Sequence, residues 1–166
     1  MGEIDIRSVA VVGGGFMGSG IAESAARAGF GATVVDVDEA ALDRCRTRIE
    51  RSMAHAIERR KLDGAGRDAA WERIDLTTSL EDVDGADLVI EAVPEEVGLK
   101  DEVMRALDCI VLDTTMVASN TSSIPIAELA SNISRPERVV GLHFFSPVPV
   151  MKLVEVVVAL DTSAET

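Results

Sequence analysis

Val9-Ala10-Val11-Val12-Gly13-Gly14-Gly15-Phe16-Met17-Gly18 decides the fold of this chain. The first four residues are an apolar run of strand length, and Gly13, Gly15 and Gly18 complete a G-x-G-x-x-G directly after it. Outward from there, alanine-rich Ser19 to Ala28 has helical composition and Gly29 is a stop signal. Ala32-Thr33-Val34-Val35 then reads as a second strand ending on Asp36. Three glycines at that spacing are a weak signal alone. Strand, glycine turn, helix, strand and terminal carboxylate within about 30 residues form a dinucleotide-binding βαβ unit. A glycine-rich turn in another kind of α/β protein is the competing reading, and Asp36 weighs against it.

Each glycine has a physical task in such a unit. Gly13 permits the tight turn, Gly15 lets a pyrophosphate approach the backbone, and Gly18 lets the helix pack close to the sheet. Phe16 and Met17, inside the glycine motif, are candidate cofactor contacts, and the N-terminus of the following helix offers free N–H groups and a partial positive charge that suit a pyrophosphate. Asp36, 18 residues beyond Gly18, is placed to accept hydrogen bonds from a ribose diol. Its charge repels a 2′-phosphate, so the expected cofactor is NAD rather than NADP.

A chain of 166 residues suits one domain with a substantial core. Hydrophobic content of 47% with 27% charged residues is that of a globular protein. A net charge of −13 argues against nucleic acid and anionic membranes as partners. No apolar run approaches the ~20 residues that cross a bilayer. The opening residues do not read as a signal peptide, so the expected location is cytoplasmic. Cys45 and Cys109 stand apart, which favours buried or free thiols over a disulfide framework or a metal site. Between Arg44 and Lys61, seven cations face only Glu50 and Glu58. That island suits either an anionic ligand or a solvated helix face.

Further along, Asp38 to Leu62 reads as an amphipathic helix with Asp38 at its N-cap, ended by Asp63-Gly64-Ala65-Gly66. Ile74 to Thr78 is the third strand and Ala86 to Val93 the fourth, stopped by Pro94 with Glu95 at its carboxyl end. Val97 to Asp108 is a helix carrying Lys100. Of two candidate fifth strands, Met116 to Ser119 is favoured over Cys109 to Leu112. It delivers Asn120-Thr121-Ser122-Ser123, either a site or only a cap for the helix from Ile124 to Ala130. Val139 to Leu142 is the sixth strand, with His143 at its end, and the proline-bearing stretch from Phe144 to Pro149 is a loop over the site. In the last strand, Leu153 to Val158, Glu155 interrupts an apolar run. A carboxylate in a buried strand needs a partner, and His143 is within reach of a folded-back loop.

A histidine oriented by a carboxylate can take the hydroxyl proton as hydride leaves an alcohol carbon. The runs Ser119 to Ser123 and Gly141 to Glu155, with Gly13 to Gly18 and Val89 to Glu95, closely resemble the L-3-hydroxyacyl-CoA dehydrogenase family. The resemblance spans nearly the whole chain and implies an α/β, Rossmann-type, doubly wound and mostly parallel sheet with an extra strand after the sixth. It implies His143 as catalytic base, Glu155 as its orienting carboxylate, and Ser122 at both substrate oxygen and cofactor. Asp36, Glu95 and Lys100 would contact NAD. Ser52 and Arg59 match positions that meet coenzyme A, and Asn120 stands beside the substrate. The implied reaction is reversible hydride transfer between an L-3-hydroxyacyl-CoA and NAD.

Two departures accompany the resemblance. Ser146 stands where many members have asparagine, so its cofactor contact changes character. The family's helical C-terminal domain, which closes the site and forms its dimer, has no counterpart here. Thr162-Ser163-Ala164-Glu165 has capping-box form, so residues 1–162 read as the NAD-binding domain and 163–166 as the start of a helical one. The fragment alone is expected to be monomeric, to expose an apolar patch and to turn over poorly. Two rival readings stay open: a binding module without turnover, and a gulonate-type dehydrogenase of a free hydroxy acid.

Overall fold

The computed structural model describes residues 5–166. Strand β1 (Ser8–Val12) passes through the glycine turn into helix α1 (Phe16–Ala28) and strand β2 (Gly31–Val35). Helix α1 starts three residues before the alanine-rich stretch, because Phe16, Met17 and Gly18 form its first turn. A β-carbon on Gly18 would lie 1.8 Å from the Gly13 carbonyl oxygen, so only glycine lets the helix sit this close to the strand. Gly29 closes α1 at φ 102°, with its N–H and that of Phe30 bonding back to Ala26 and Ala25 in a Schellman motif.

Helix α2 (Glu39–Glu58) opens on Asp38, whose side chain accepts the Ala41 N–H at 2.7 Å. It stops four residues short of the expected Leu62. Arg60 takes φ 58°, and the N–H groups of Arg60 and Lys61 close on Ile57 and Ala56, a Schellman motif built without glycine. Asp63-Gly64-Ala65-Gly66 therefore ends nothing. Asp63 accepts the Gly66 N–H at 2.7 Å and caps an unanticipated helix, α3 (Gly64–Trp71).

Strands β3 (Ile74–Thr77) and β4 (Leu88–Glu91), helix α4 (Val97–Ile110) and strand β5 (Met116–Ser119) follow, then helix α5 (Ile126–Ala130) and strands β6 (Val139–Phe144) and β7 (Val154–Val157). The sheet order is β3-β2-β1-β4-β5-β6-β7, parallel except for antiparallel β7. The chain reverses direction across the sheet between β1 and β4, which opens a crevice at their carboxyl ends. Strand periodicity sorts the two faces: Val9 and Val11 pack with Ile21, Cys45 and Ile49 of α1 and α2, whereas Ala10 and Val12 pack with Met104, Leu107 and Leu129 of α4 and α5.

Strand β7 corrects the expectation of a buried last strand. It is the sheet's edge, and all four of its residues are exposed. Val156 is 63% exposed and Val158, just after it, 67%. Val150, Met151 and Leu153, just before the strand, are exposed as well. The capping contact near the end falls one residue later than read: the Thr166 N–H donates to Ser163 Oγ, while the Thr162 hydroxyl donates to the Val139 carbonyl. Among the described residues, no helix is long and apolar enough to cross a membrane.

Candidate active site

The crevice is a cavity of about 870 Å³. At one end lie Gly13, Gly15, Phe16, Met17 and Asp36, and the other end is lined by Glu95, Lys100, Asn120, Ser122, His143 and Ser146. Eleven residues singled out by sequence thus share one space. Gly18 lies beneath its wall. Ser52 and Arg59 line neither it nor a smaller cavity of about 300 Å³ formed on α2 by Asp43, Arg44, Thr47, Arg48 and Arg51. Ser52 instead lies against Glu23 of α1. Burial pushes the Glu23 carboxyl above its ordinary range, against the opposing pull of nearby Ser52 and of Arg27, which donates to Glu23 Oε1 at 2.9 Å.

The glycines divide by what demands them. A β-carbon on Gly13, at φ 102°, would meet the Ala92 carbonyl oxygen at 2.8 Å, and one on Gly14 would meet Cys45 Cβ at 2.9 Å. Gly14, a mere spacer in the motif, is thus also required by packing. A β-carbon on Gly15 meets nothing within 4 Å, so the protein itself does not demand glycine there. No side chain caps α1, which leaves its first N–H groups facing the cavity. An open backbone at a helix N-terminus fits a pyrophosphate.

Asp36 is held by two backbone donors, Gly14 N–H to Oδ2 at 2.9 Å and Val37 N–H to Oδ1 at 2.8 Å. Each oxygen keeps a lone pair for a diol. Around it, Val37, Leu80 and Val103 supply an apolar wall suited to an adenine ring. Sequence reasoning missed this wall, because its three residues come from separate segments and carry no motif. Cys45, buried beneath Gly14, has its thiol pushed up to about 11 by burial and by Asp36, so it stays neutral and serves packing. Cys45 and Cys109 are free thiols.

At the other end, β6 and β7 place His143 and Glu155 directly opposite each other in the antiparallel ladder. His143 Nδ1 lies 2.8 Å from Glu155 Oε2. The pairing is as expected, but the reason is register rather than burial, since Glu155 is 55% exposed. The Phe145 ring packs on the imidazole, with centroids 4.8 Å apart. With Nδ1 engaged, Nε2 is the nitrogen available to a ligand. Asn120 Oδ1 accepts the Phe144 N–H at 3.0 Å and ties the β5 turn to this strand.

Glu95 binds that turn from the other side. Its Oε1 accepts the Thr121 hydroxyl at 2.5 Å and the N–H groups of Ser122 and Ser123 at 3.0 and 3.1 Å. Lys100, which the resemblance places at NAD, borders the cavity but is 1% exposed and paired at 2.6 Å with wholly buried Glu91. Burial opposes the Glu95 charge, but Thr121, Ser122 and Lys100 outweigh it and hold the carboxyl at about 2. That lies below the usual value of about 4.3 for an unfolded chain. The contribution of Glu95 to stability is therefore complete above the unfolded value and is lost as pH falls toward 2. Glu95→Gln is expected to flatten the drop in Tm between about pH 4.5 and 2; an unchanged acid limb would contradict this assignment.

Comparison with known proteins agrees with the geometry. Residues 8–166 match the family described as 3-hydroxyacyl-CoA dehydrogenase, NAD binding domain. A 3-hydroxybutyryl-CoA dehydrogenase of Mycobacterium tuberculosis is 48% identical over 158 residues, 95% of this chain and 55% of that protein. A probable 3-hydroxybutyryl-CoA dehydrogenase of Bacillus subtilis is 44% identical over 163 residues, 98% of this chain and 57% of the relative. The crystal structure of (S)-3-hydroxybutyryl-CoA dehydrogenase from Ralstonia eutropha superposes with a TM-score of 0.94 at 42% identity, covering 96% of this chain and 56% of that one. The chain thus spans little more than half the length of these curated relatives.

Proposed function

This chain belongs to the 3-hydroxyacyl-CoA dehydrogenase family, as its NAD-binding domain, and from that premise we propose that it serves the reversible oxidation of L-3-hydroxyacyl-CoA to 3-oxoacyl-CoA. The observation that carries the proposal is the His143–Glu155 pair, 2.8 Å apart, at one end of a cavity whose other end carries the glycine turn and Asp36. NAD, when bound, supplies the hydride acceptor. Asp36 would accept its ribose hydroxyls, the N-terminus of α1 its pyrophosphate, and Glu95 and Lys100 would border its nicotinamide half.

His143 Nε2 would receive the 3-hydroxyl proton during oxidation and return it during reduction. Glu155 fixes the tautomer and stabilises the imidazolium. Ser122 Oγ would donate to the same oxygen, and Ser146 would offer the cofactor a hydroxyl in place of an amide. Residues 1–162 act as the cofactor half of the site and 163–166 as the lead into a helical domain that completes it. On that arrangement the cofactor half alone binds NAD but turns over poorly. Arg59, at the C-terminal end of α2, would meet coenzyme A outside the cavity, with Ser52 on the side of that helix that faces α1.

The test is NADH consumption by the complete gene product. Acetoacetyl-CoA is expected to be reduced at least about a hundredfold faster than free acetoacetate, with NADH at least about tenfold better than NADPH, margins of about 2.7 and 1.4 kcal/mol. Equal rates with the free acid would point to a hydroxy-acid dehydrogenase. Cofactor binding without turnover of either would leave a binding module.

A further inference from the structure

Beneath the end of the cavity that holds Ser122 lies a closed circuit of hydrogen bonds. Lys100 Nζ donates to Glu91 Oε1 at 2.6 Å, and the Ser119 hydroxyl donates to Glu91 Oε2 at 2.6 Å. The Thr121 N–H donates to Ser119 Oγ at 3.2 Å, while the Thr121 hydroxyl donates to Glu95 Oε1 at 2.5 Å. Glu95 Oε2 closes the circuit on Lys100 Nζ at 3.3 Å. Glu91, Lys100, Ser119 and Thr121 are each 7% exposed or less.

Two rigid attachments leave this ring. Glu95 Oε1 also takes the Ser122 N–H, and the Asn120 N–H donates to the Glu91 carbonyl at 2.9 Å while its side chain takes the Phe144 N–H. One attachment fixes Ser122 and the other fixes the strand end that carries His143. Resting on the hydride-transfer reading above, we propose that Glu91, Ser119 and Thr121 are positioning residues for that reaction. Their ring with Glu95 and Lys100 sets the turn bearing Ser122 against the strand bearing His143.

Stability alone does not account for the ring. A buried ion pair seldom stabilises more than apolar residues of the same volume, so Glu91 and Lys100 are a poor way to fill a core. What such a network supplies is a single geometry: wholly buried Glu91 Oε2 has the Ser119 hydroxyl as its donor and would be left unpaired without it, and Glu95 Oε1 gathers the Thr121 hydroxyl with the Ser122 and Ser123 N–H groups on one atom. Proton and hydride transfer need that geometry, since a misplacement of about 1 Å can cost about a hundredfold in rate.

Thr121→Val keeps the shape and removes the hydroxyl, and Thr121→Ser restores it. In the complete gene product, Thr121→Val is expected to lower kcat for acetoacetyl-CoA reduction about ten- to a hundredfold, with KM within about threefold and Thr121→Ser near wild type. Ser119→Ala, which opens the ring on the side away from the cavity, should reproduce the loss. Hydrogen exchange supplies a readout independent of turnover: the Ser122 and Ser123 amides should exchange at least about tenfold faster in Thr121→Val, with β1 and β4 unchanged. Wild-type kcat per folded molecule, or unchanged protection of the two serines, would overturn the proposal. If the wild-type protein fails to reduce acetoacetyl-CoA, the hydride-transfer reading falls, and without it the positioning role falls too, whatever the exchange measurement shows of the turn.

Discussion

His143→Gln in the complete gene product is expected to lower kcat for acetoacetyl-CoA reduction by about two to four orders of magnitude, with NAD affinity within about threefold. The imidazole is held at Nδ1 by Glu155 and packed by Phe145, so Nε2 is presented in one orientation. Glutamine fills similar space and hydrogen-bonds, but it cannot accept and release a proton near neutral pH. Because the glycine turn and Asp36 lie at the other end of the cavity, cofactor binding should survive. Glu155→Gln should give a smaller loss of the same kind, since it weakens the orientation of the base rather than removing it. Steady-state kinetics and calorimetry check both, and near-normal turnover of His143→Gln would remove the residue from the mechanism.

The second large effect separates the glycines. Gly18→Ala is expected to destabilise the fold by about 3 kcal/mol and to abolish NAD binding, because its β-carbon would sit 1.8 Å from a backbone oxygen that cannot yield. Gly15→Ala should leave Tm within about 1 °C, since its φ of −64° suits alanine and its β-carbon would meet nothing. It should nevertheless weaken NAD about tenfold or more, by about 1.4 kcal/mol, because the methyl group occupies the space a pyrophosphate needs. Thermal denaturation and calorimetry on the two variants decide it. Equal loss of Tm in both, or full NAD affinity in Gly15→Ala, would contradict the division of roles.

Much of this was legible from residue patterns. Apolar runs located β1, β2, β4, β5 and β6, and the glycine motif with Asp36 located one end of the crevice. Helix ends were less legible where glycine did not mark them. Arg60 adopts the left-handed conformation usually left to glycine, so α2 stops where composition continues. Asp63-Gly64 looks like a breaker, yet it is a cap, because an aspartate before small residues can equally begin a helix.

The rule that a carboxylate in a buried strand needs a partner picked the wrong strand. It was applied to Glu155, whose strand is an exposed edge, and not to Glu91, which is wholly buried among Leu88, Val89 and Ile90. Applied there, it points to Lys100, nine residues on and one helical turn into α4. Sheet position separates the cases: β4 lies between β1 and β5 with its residues buried, whereas β7 pairs with β6 along one edge and is exposed, and strand order is a property of topology that no local window carries.

The coenzyme A contact is the part least visible to local reading. Ser52 faces α1 and Arg59 lies at the exposed end of α2, whereas Arg44, Arg48 and Arg51 line a separate small cavity. A cationic helix locates a charge but not the atom that uses it.

In the proposed reaction one oxygen of the substrate sits between His143 and Ser122. That placement is tested most directly by the crystal structure of the complete gene product with NAD and acetoacetyl-CoA. The expected result is the 3-oxo oxygen about 3 Å from both His143 Nε2 and Ser122 Oγ, with the nicotinamide beside Glu95. A thioester bound with that oxygen out of reach of the imidazole, or a nicotinamide at the far end of the cavity, would contradict it.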